Sequence, residues 1–249
     1  MTKIHQTAIV DQHAKLGKDI EIGPFSIIHS NVVLGDGTRI GSYCELGVPS
    51  ALGDGSELLI GKNSLVRSHS VFYESSSFGD SLVTGHRVTV RENTKAGFNL
   101  QIGTLSDIQG DCVIGNYTRF HSNVHIGKKS KIGNFVWIYP YVVLTNDPHP
   151  PSDLMKGVTV SDYAVIATMS VILPGVNIGE GALIAAHSSL KIDAEPNTIY
   201  SGSPAEKVCS TFRIRLQDGS RRAAYPWTKH FFRGYPEDIL KMWREHNEK

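Results

Sequence analysis

Apolar residues recur at every sixth position along most of this chain. From Ile4 the series runs Val10, Leu16, Ile22, Ile28, Leu34, Ile40 and Leu46. It slips across GVPSALGDGSELL and resumes at Ile60, stepping by six to Leu144. It slips again across LTNDPHPPSDLMKG and runs from Val160 to Leu190. Only Thr84 is polar among these 29 positions, where a chain that is 40% apolar would place about 12 apolar residues by chance. The residue after the anchor is often glycine, as at Gly17, Gly23, Gly35, Gly41, Gly61, Gly103, Gly115, Gly127, Gly133 and Gly179. The fourth residue after it is small or β-branched, as at Ala14, Ser26, Val32, Ser64, Thr94, Ser106, Thr118, Val142 and Ala182. Glycine tolerates positive φ and so turns corners. β-branched residues suit a pleated, half-buried strand. A period of six is not helical, so the expectation is an all-β solenoid whose coils stack about 4.8 Å apart.

The repeat covers residues 1–207, with inserted loops at 47–59 and 145–158. Residues 208–249 change character. FRIRLQDGSRR can pair as a short extension, with Arg213, Arg215, Arg221 and Arg222 as alternative phosphate ligands. YPEDILKMWREH reads as a helix with Pro236 at its first position and an apolar face of Ile239, Leu240, Met242 and Trp243. The expectation is a cap over the open end of the solenoid. A formal charge of +1 points to neither nucleic acid nor membrane partners. Cys44, Cys112 and Cys209 are isolated, and the first residues lack a signal peptide's pattern, which together suggest a cytoplasmic protein.

The pattern [LIV]-G-x-x-[STAV]-x resembles the hexapeptide-repeat family. That resemblance implies a left-handed parallel β-helix with eighteen residues per coil. It also implies a homotrimer with active sites between subunits and acyltransferase activity. Stacked at that spacing, Asn146 lies over Lys128, Tyr139 over His121 and His125 over Asp107. The same fold carries γ-type carbonic anhydrases, and a metal alternative there would use the His121/His125 pair with His86 or His149. No metal is expected. A non-catalytic scaffold is a further alternative.

IHQTAIV…IGPF resembles the start of the lipid A UDP-N-acetylglucosamine O-acyltransferases. Those enzymes carry a base histidine three residues after a histidine–apolar pair. Here the pair is His125-Ile126, and Lys128 stands at the base position. A protonated lysine is a poor base for a hydroxyl. TGHRVTVREN, FHSNVHIG and WIYPYVVLTNDPHPP resemble acyl-CoA-dependent N-acyltransferases of dTDP-linked 3-amino-3,6-dideoxyhexoses, enzymes of surface-polysaccharide (O-antigen) sugar synthesis. That resemblance implies a nucleotide-sugar substrate held at its amine by Asn146 and Asp147. It implies sugar or pyrophosphate contacts from His121, His125, Lys128, His86 and Arg91. The acyl-CoA, acetyl or hydroxybutyryl, would lie along Ala167, Ala185 and Ala186, with Lys191 and Lys207 at its phosphates.

Overall fold

A computed structural model describes residues 1–247. Short parallel strands build three sheets of twelve, ten and nine strands, the three faces of a triangular prism. The first face runs from Lys3–Ile4 to Leu183–Ile184 and ends on the pair Thr198–Gly202 and Ala205–Ser210. The second carries Thr89–Val90, Asp107–Ile108, His125–Ile126 and Val143–Leu144. The third carries Lys95–Ala96, Val113–Ile114, Lys131–Ile132 and Thr159–Val160. The architecture is a left-handed parallel β-helix.

Register follows the eighteen-residue coil: Asp107 pairs with His125, and Ile126 with Leu144. Across the second insertion Lys131 pairs with Thr159, so the extra residues loop outward and the register is kept. The anchors face inward, and Leu46, Phe72, Val90, Ile108, Ile126 and Leu144 are wholly buried. Ser26, Ser64, Ser106 and Thr118 are buried too. Their hydroxyls donate to the corner carbonyls of Gly41, Gly61, His121 and Gly133 at 2.7–3.0 Å. A buried hydroxyl is tolerated when it finds such a partner.

The glycines after the anchors work by a different means from the one expected. Positive φ falls three residues after the anchor, at Phe25, Tyr43, His69, Leu105, Tyr117 and Tyr141 among others. The anchor-adjacent glycines are needed because coils approach closely. A Cβ on Gly115 would stand 2.5 Å from the Gly133 carbonyl carbon in the next coil.

The C-terminal segment also departs from expectation. The end of the solenoid is closed by the antiparallel pair Thr198–Gly202 and Ala205–Ser210. Residues 211–247 fold back along the first face instead. The reason is an aromatic column there: Tyr117, Phe135 and Tyr163 stack at 5.2 and 5.0 Å. Trp227, Tyr235 and Trp243 pack against it and are buried with it. The expected pairing of FRIRLQDGSRR is a single bridge from Arg215 to Ala223. Helix α1 spans Glu237–Asn247. Pro236 lies one residue before it, and its carbonyl accepts from Ile239 and Leu240 at 3.1 and 3.2 Å. No helix among the described residues is long and apolar enough to cross a membrane.

Candidate active site

At the corner between the second and third faces, the strand pairing stacks Glu92, Gly110, Lys128 and Asn146 in one column. Glu92 is fully buried. Arg91 holds its carboxylate with two bonds, Nε to Oε2 at 3.0 Å and Nη2 to Oε1 at 3.3 Å. The Arg91 guanidinium also lies over the Tyr73 ring at 4.9 Å. Lys128 Nζ reaches Glu92 at 4.0 Å and Asp111 at 3.3 Å. Reaching Glu92 means spanning two coils, and Gly110 between them has no side chain to block the path. Gly110 is one position where positive φ (91°) and close approach coincide, since a Cβ would meet the Glu92 carbonyl at 2.6 Å.

Beside the column, His125 Nδ1 lies 3.2 Å from Asp107 Oδ2, and Gln109 donates to the same carboxylate. Burial raises the Asp107 carboxyl, but these two hydrogen bonds outweigh it and hold the group below the usual carboxylate range. Asn93 Nδ2 donates to Asp111 at 3.0 Å and to the Leu52 carbonyl at 3.2 Å. The first insertion is thereby fastened over the cluster. Glu74 anchors its other end, accepting from Ser50 N and Asn31 Nδ2 at 3.0 Å each.

The second insertion leaves from the same corner. The Thr145 hydroxyl donates to the Ile172 carbonyl at 2.8 Å, and the Lys156 amide donates to the Asn146 carbonyl at 2.8 Å. Asn146 and Asp147 are half-buried, joined by a 3.3 Å bond from Asn146 Nδ2 to Asp147 Oδ1. Among the described residues Asp147 forms no ion pair.

Not every expected residue joins this corner. His86 and His121 stand at the other end of the second face, where it meets the first. There the His121 ring stacks on Tyr139 at 4.6 Å. Burial, and then the Arg119 charge, lower the His121 imidazole below its usual value. Ala167 and Ala185 continue upward beyond Tyr139, with Ala186 exposed beside them. Lys191 follows Leu190 at the second–third corner, and Lys207 sits on the closing strand, paired with Glu195 at 2.6 Å. Within one chain the five residues expected along acyl-CoA therefore do not form a single track. Among the described residues no three histidine, cysteine, aspartate or glutamate side chains are grouped to hold a metal. Sequence reasoning passed over Glu92, Asn93 and Asp111. The available signal was a carboxylate beside an anchor, at a position where its neighbours in the column make it face the corner.

Comparison with known proteins gives the following. The profile described as bacterial transferase hexapeptide (six repeats) matches residues 2–47. The acyl-[acyl-carrier-protein]–UDP-N-acetylglucosamine O-acyltransferase of Albidiferax ferrireducens is 30% identical over 247 residues, covering 90% of this chain and 77% of that protein. The protein of the same name from Saccharophagus degradans is 32% identical over 146 residues, covering 54% of this chain and about half (49%) of that protein's length. The solved Arabidopsis UDP-N-acetylglucosamine acyltransferase superposes with a TM-score of 0.71 at 21% identity, covering 83% of this chain and 74% of that one.

Proposed function

The chain belongs to the family of acyl-[acyl-carrier-protein]–UDP-N-acetylglucosamine O-acyltransferases, and from that premise we propose that it acylates a nucleotide-linked sugar on an amine. The observation that carries this reading is Lys128, which stands where the family's motif has its base histidine. Its ammonium lies between Glu92 and Asp111. An ammonium so placed donates hydrogen bonds and has no lone pair with which to take a proton. A hydroxyl acceptor needs a base; an amine brings its own lone pair, and with a model value of about 7.7–8.0 roughly a tenth to a sixth of it is neutral at pH 7.

The acceptor is a nucleotide-linked amino-deoxy sugar, with the dTDP-3-amino-3,6-dideoxyhexoses as the first choice. The donor is acyl-CoA, acetyl or hydroxybutyryl. Asp147 and Asn146 hold the sugar amine. The nitrogen attacks the thioester carbonyl, the C–N bond forms, and the tetrahedral intermediate collapses with loss of the C–S bond. The departing thiolate, of model value about 8.5, takes the amine proton. Lys128, Arg91 and His125 face the sugar and its phosphates. Catalysis occurs in a homotrimer, whose neighbouring chain completes the cleft.

The second reading is O-acylation of UDP-N-acetylglucosamine from an acyl carrier protein. The similarity to proteins of that name along 90% of the chain favours it. One experiment separates the two. Acyl-CoA and acyl carrier protein donors are crossed with dTDP- and UDP-amino sugars and with UDP-N-acetylglucosamine, and products are identified by mass spectrometry. An amide product, stable to hydroxylamine, supports N-acylation. A hydroxylamine-labile ester on UDP-N-acetylglucosamine, with no amide from any amino sugar, overturns it.

A further inference from the structure

Between the first face and residues 224–234 lies a slot that the corner cluster does not use. One lobe of about 300 Å³ is bounded by His121, Trp137, Tyr139, Tyr225, Phe231 and Arg233. A second lobe of about 410 Å³ shares His121, Trp137, Phe231 and Arg233 with it and adds Arg119. Its walls are flat rings. The stacked His121 and Tyr139 form one, and Phe231 stands edge-on to Trp137 at 5.4 Å.

Two features separate this slot from ordinary packing. The aromatic cluster that fastens the extension is built on the buried Tyr117, Phe135, Trp227, Tyr235 and Trp243. Tyr139 and Tyr225 pack at its edge, only partly buried, and with His121 they line open space. The second feature is charge. Arg119 and Arg233 line the slot, no carboxylate does, and neither arginine makes an ion pair among the described residues. Arg119 is 93% buried, held by the Gly234 carbonyl at 2.8 Å and the Tyr235 hydroxyl at 3.3 Å, with its guanidinium 5.4 Å from the Trp137 ring centre. A buried guanidinium without an acid leaves a positive field in the cavity. Arg233 is exposed and hovers 5.7 Å from the Phe231 ring, free to close on an anion.

Flat rings recognise a flat ring, and bidentate guanidinium groups recognise phosphate. We propose that the slot binds a nucleotide, its base against His121 and Tyr139 and its phosphates at Arg233. Two sources offer that chemistry: the nucleoside diphosphate of a nucleotide sugar, and the 3′-phosphoadenosine end of coenzyme A. The slot rests on the proposed function only for this choice of source. Ala167 and Ala185 continue the His121–Tyr139 column, so a thin chain could leave the slot over small side chains.

The test uses the full-length protein and its own fluorescence, since two of its three tryptophans, Trp137 and Trp227, border the slot. UDP, dTDP and 3′,5′-ADP are titrated against uridine and inorganic phosphate. A saturable change is expected from at least one of the three nucleotides, with uridine and phosphate far weaker. Arg233→Ala and Tyr139→Leu should each raise Kd at least about tenfold, or ~1.4 kcal/mol. Lys62→Ala, an exposed residue far from the slot, should leave it unchanged. Quenching by 3′,5′-ADP assigns the slot to the donor; quenching by UDP or dTDP assigns it to the acceptor. No binding at millimolar nucleotide, or an unchanged Kd in a folded Arg233→Ala protein, overturns the proposal. Asp147→Asn should bind the nucleotide normally. If nucleotide binds but no donor–acceptor pair turns over, the proposed function fails and the slot stands. If turnover is normal while slot variants alter neither Kd nor KM, the slot fails and the function stands.

Discussion

Replacing Lys128 with methionine removes the ammonium and keeps the length of the side chain. The surrounding bonds set the structural cost. Glu92 retains both bonds from Arg91, and Asp111 retains the bond from Asn93 at 3.0 Å. Neither carboxylate is left without a donor. At an effective dielectric near 20, contacts of this length have a gross attraction of about 4–5 kcal/mol each, most of which desolvation cancels. The net loss should be about 1–2 kcal/mol, visible as a melting temperature lower by a few degrees. The kinetic cost decides the role. A donor to the nucleotide-sugar acts in ground and transition states alike, so KM should rise about tenfold while kcat stays within about threefold. A base acts only in the transition state, and its loss would lower kcat by about 10²–10⁴ at saturating substrate. Steady-state rates of CoA release, with the acceptor varied at fixed saturating acyl-CoA, separate these. A hundredfold fall in kcat with unchanged KM would refute the reasoning, make Lys128 a base and remove the case for an amine acceptor.

Asp147→Asn should lower kcat/KM for the amino sugar at least about tenfold and leave the melting temperature unmoved, because its one hydrogen bond is to its neighbour Asn146. Glu92→Gln leaves Arg91 and Lys128 without a buried counter-charge; denaturant unfolding should show a loss of about 3–5 kcal/mol, and a loss under 1 would mean the column is not coupled. Asp107 has its folded pKa depressed, so the stability it contributes is full above its unfolded value of about 3.9 and is lost as pH falls through the lower folded value. Asp107→Asn should therefore flatten the acid limb of the stability–pH curve below about pH 4, and an unchanged limb would contradict the His125 and Gln109 assignment.

The fold was legible because a six-residue period excludes a helix and implies a β-solenoid, while its handedness and eighteen-residue coil came from the resemblance to hexapeptide-repeat proteins. The stacking of Asp107 under His125 and of His121 under Tyr139 followed from the coil length alone. What stayed hidden depended on shape. Positive φ three residues after most anchors was obscured, since Phe25, His69, Leu105 and Tyr141 occupy it beside the asparagines, aspartates and glycines that favour it. The extension's docking face could not be read because Tyr117, Phe135 and Tyr163 belong to separate hexads and become one surface only when stacked. The corner cluster was half legible: Arg91, His125, Lys128 and Asn146 were singled out. Glu92 and Asp111 were not, since a carboxylate within a repeat reads as solvated surface until burial shows otherwise.

Those two carboxylates bear on the chemistry more than the named residues do. A histidine at position 128 would leave Glu92 satisfied by Arg91, as it is now, and would stand in a pocket with an uncompensated Asp111. A lysine there fills the space with charge, and Gly110 lets it reach across two coils. The scaffold is rigid at this point, because the anchors of the column's coils are buried, Ala96 excepted, and the coils are hydrogen-bonded above and below. It cannot relax to offer another base at the same place. If the acceptor's hydroxyl were the nucleophile, His125, whose Nδ1 is engaged by Asp107 at 3.2 Å, would serve as its base through Nε2. His125 stands three residues before position 128, on the strand that leads into the same corner, and not at the motif's base position. An amine acceptor needs no such base, since the thiolate it expels can take the proton. On the proposed N-acylation, a lysine in this column and an acceptor that needs no base belong to one reading; on O-acylation, the base falls to His125.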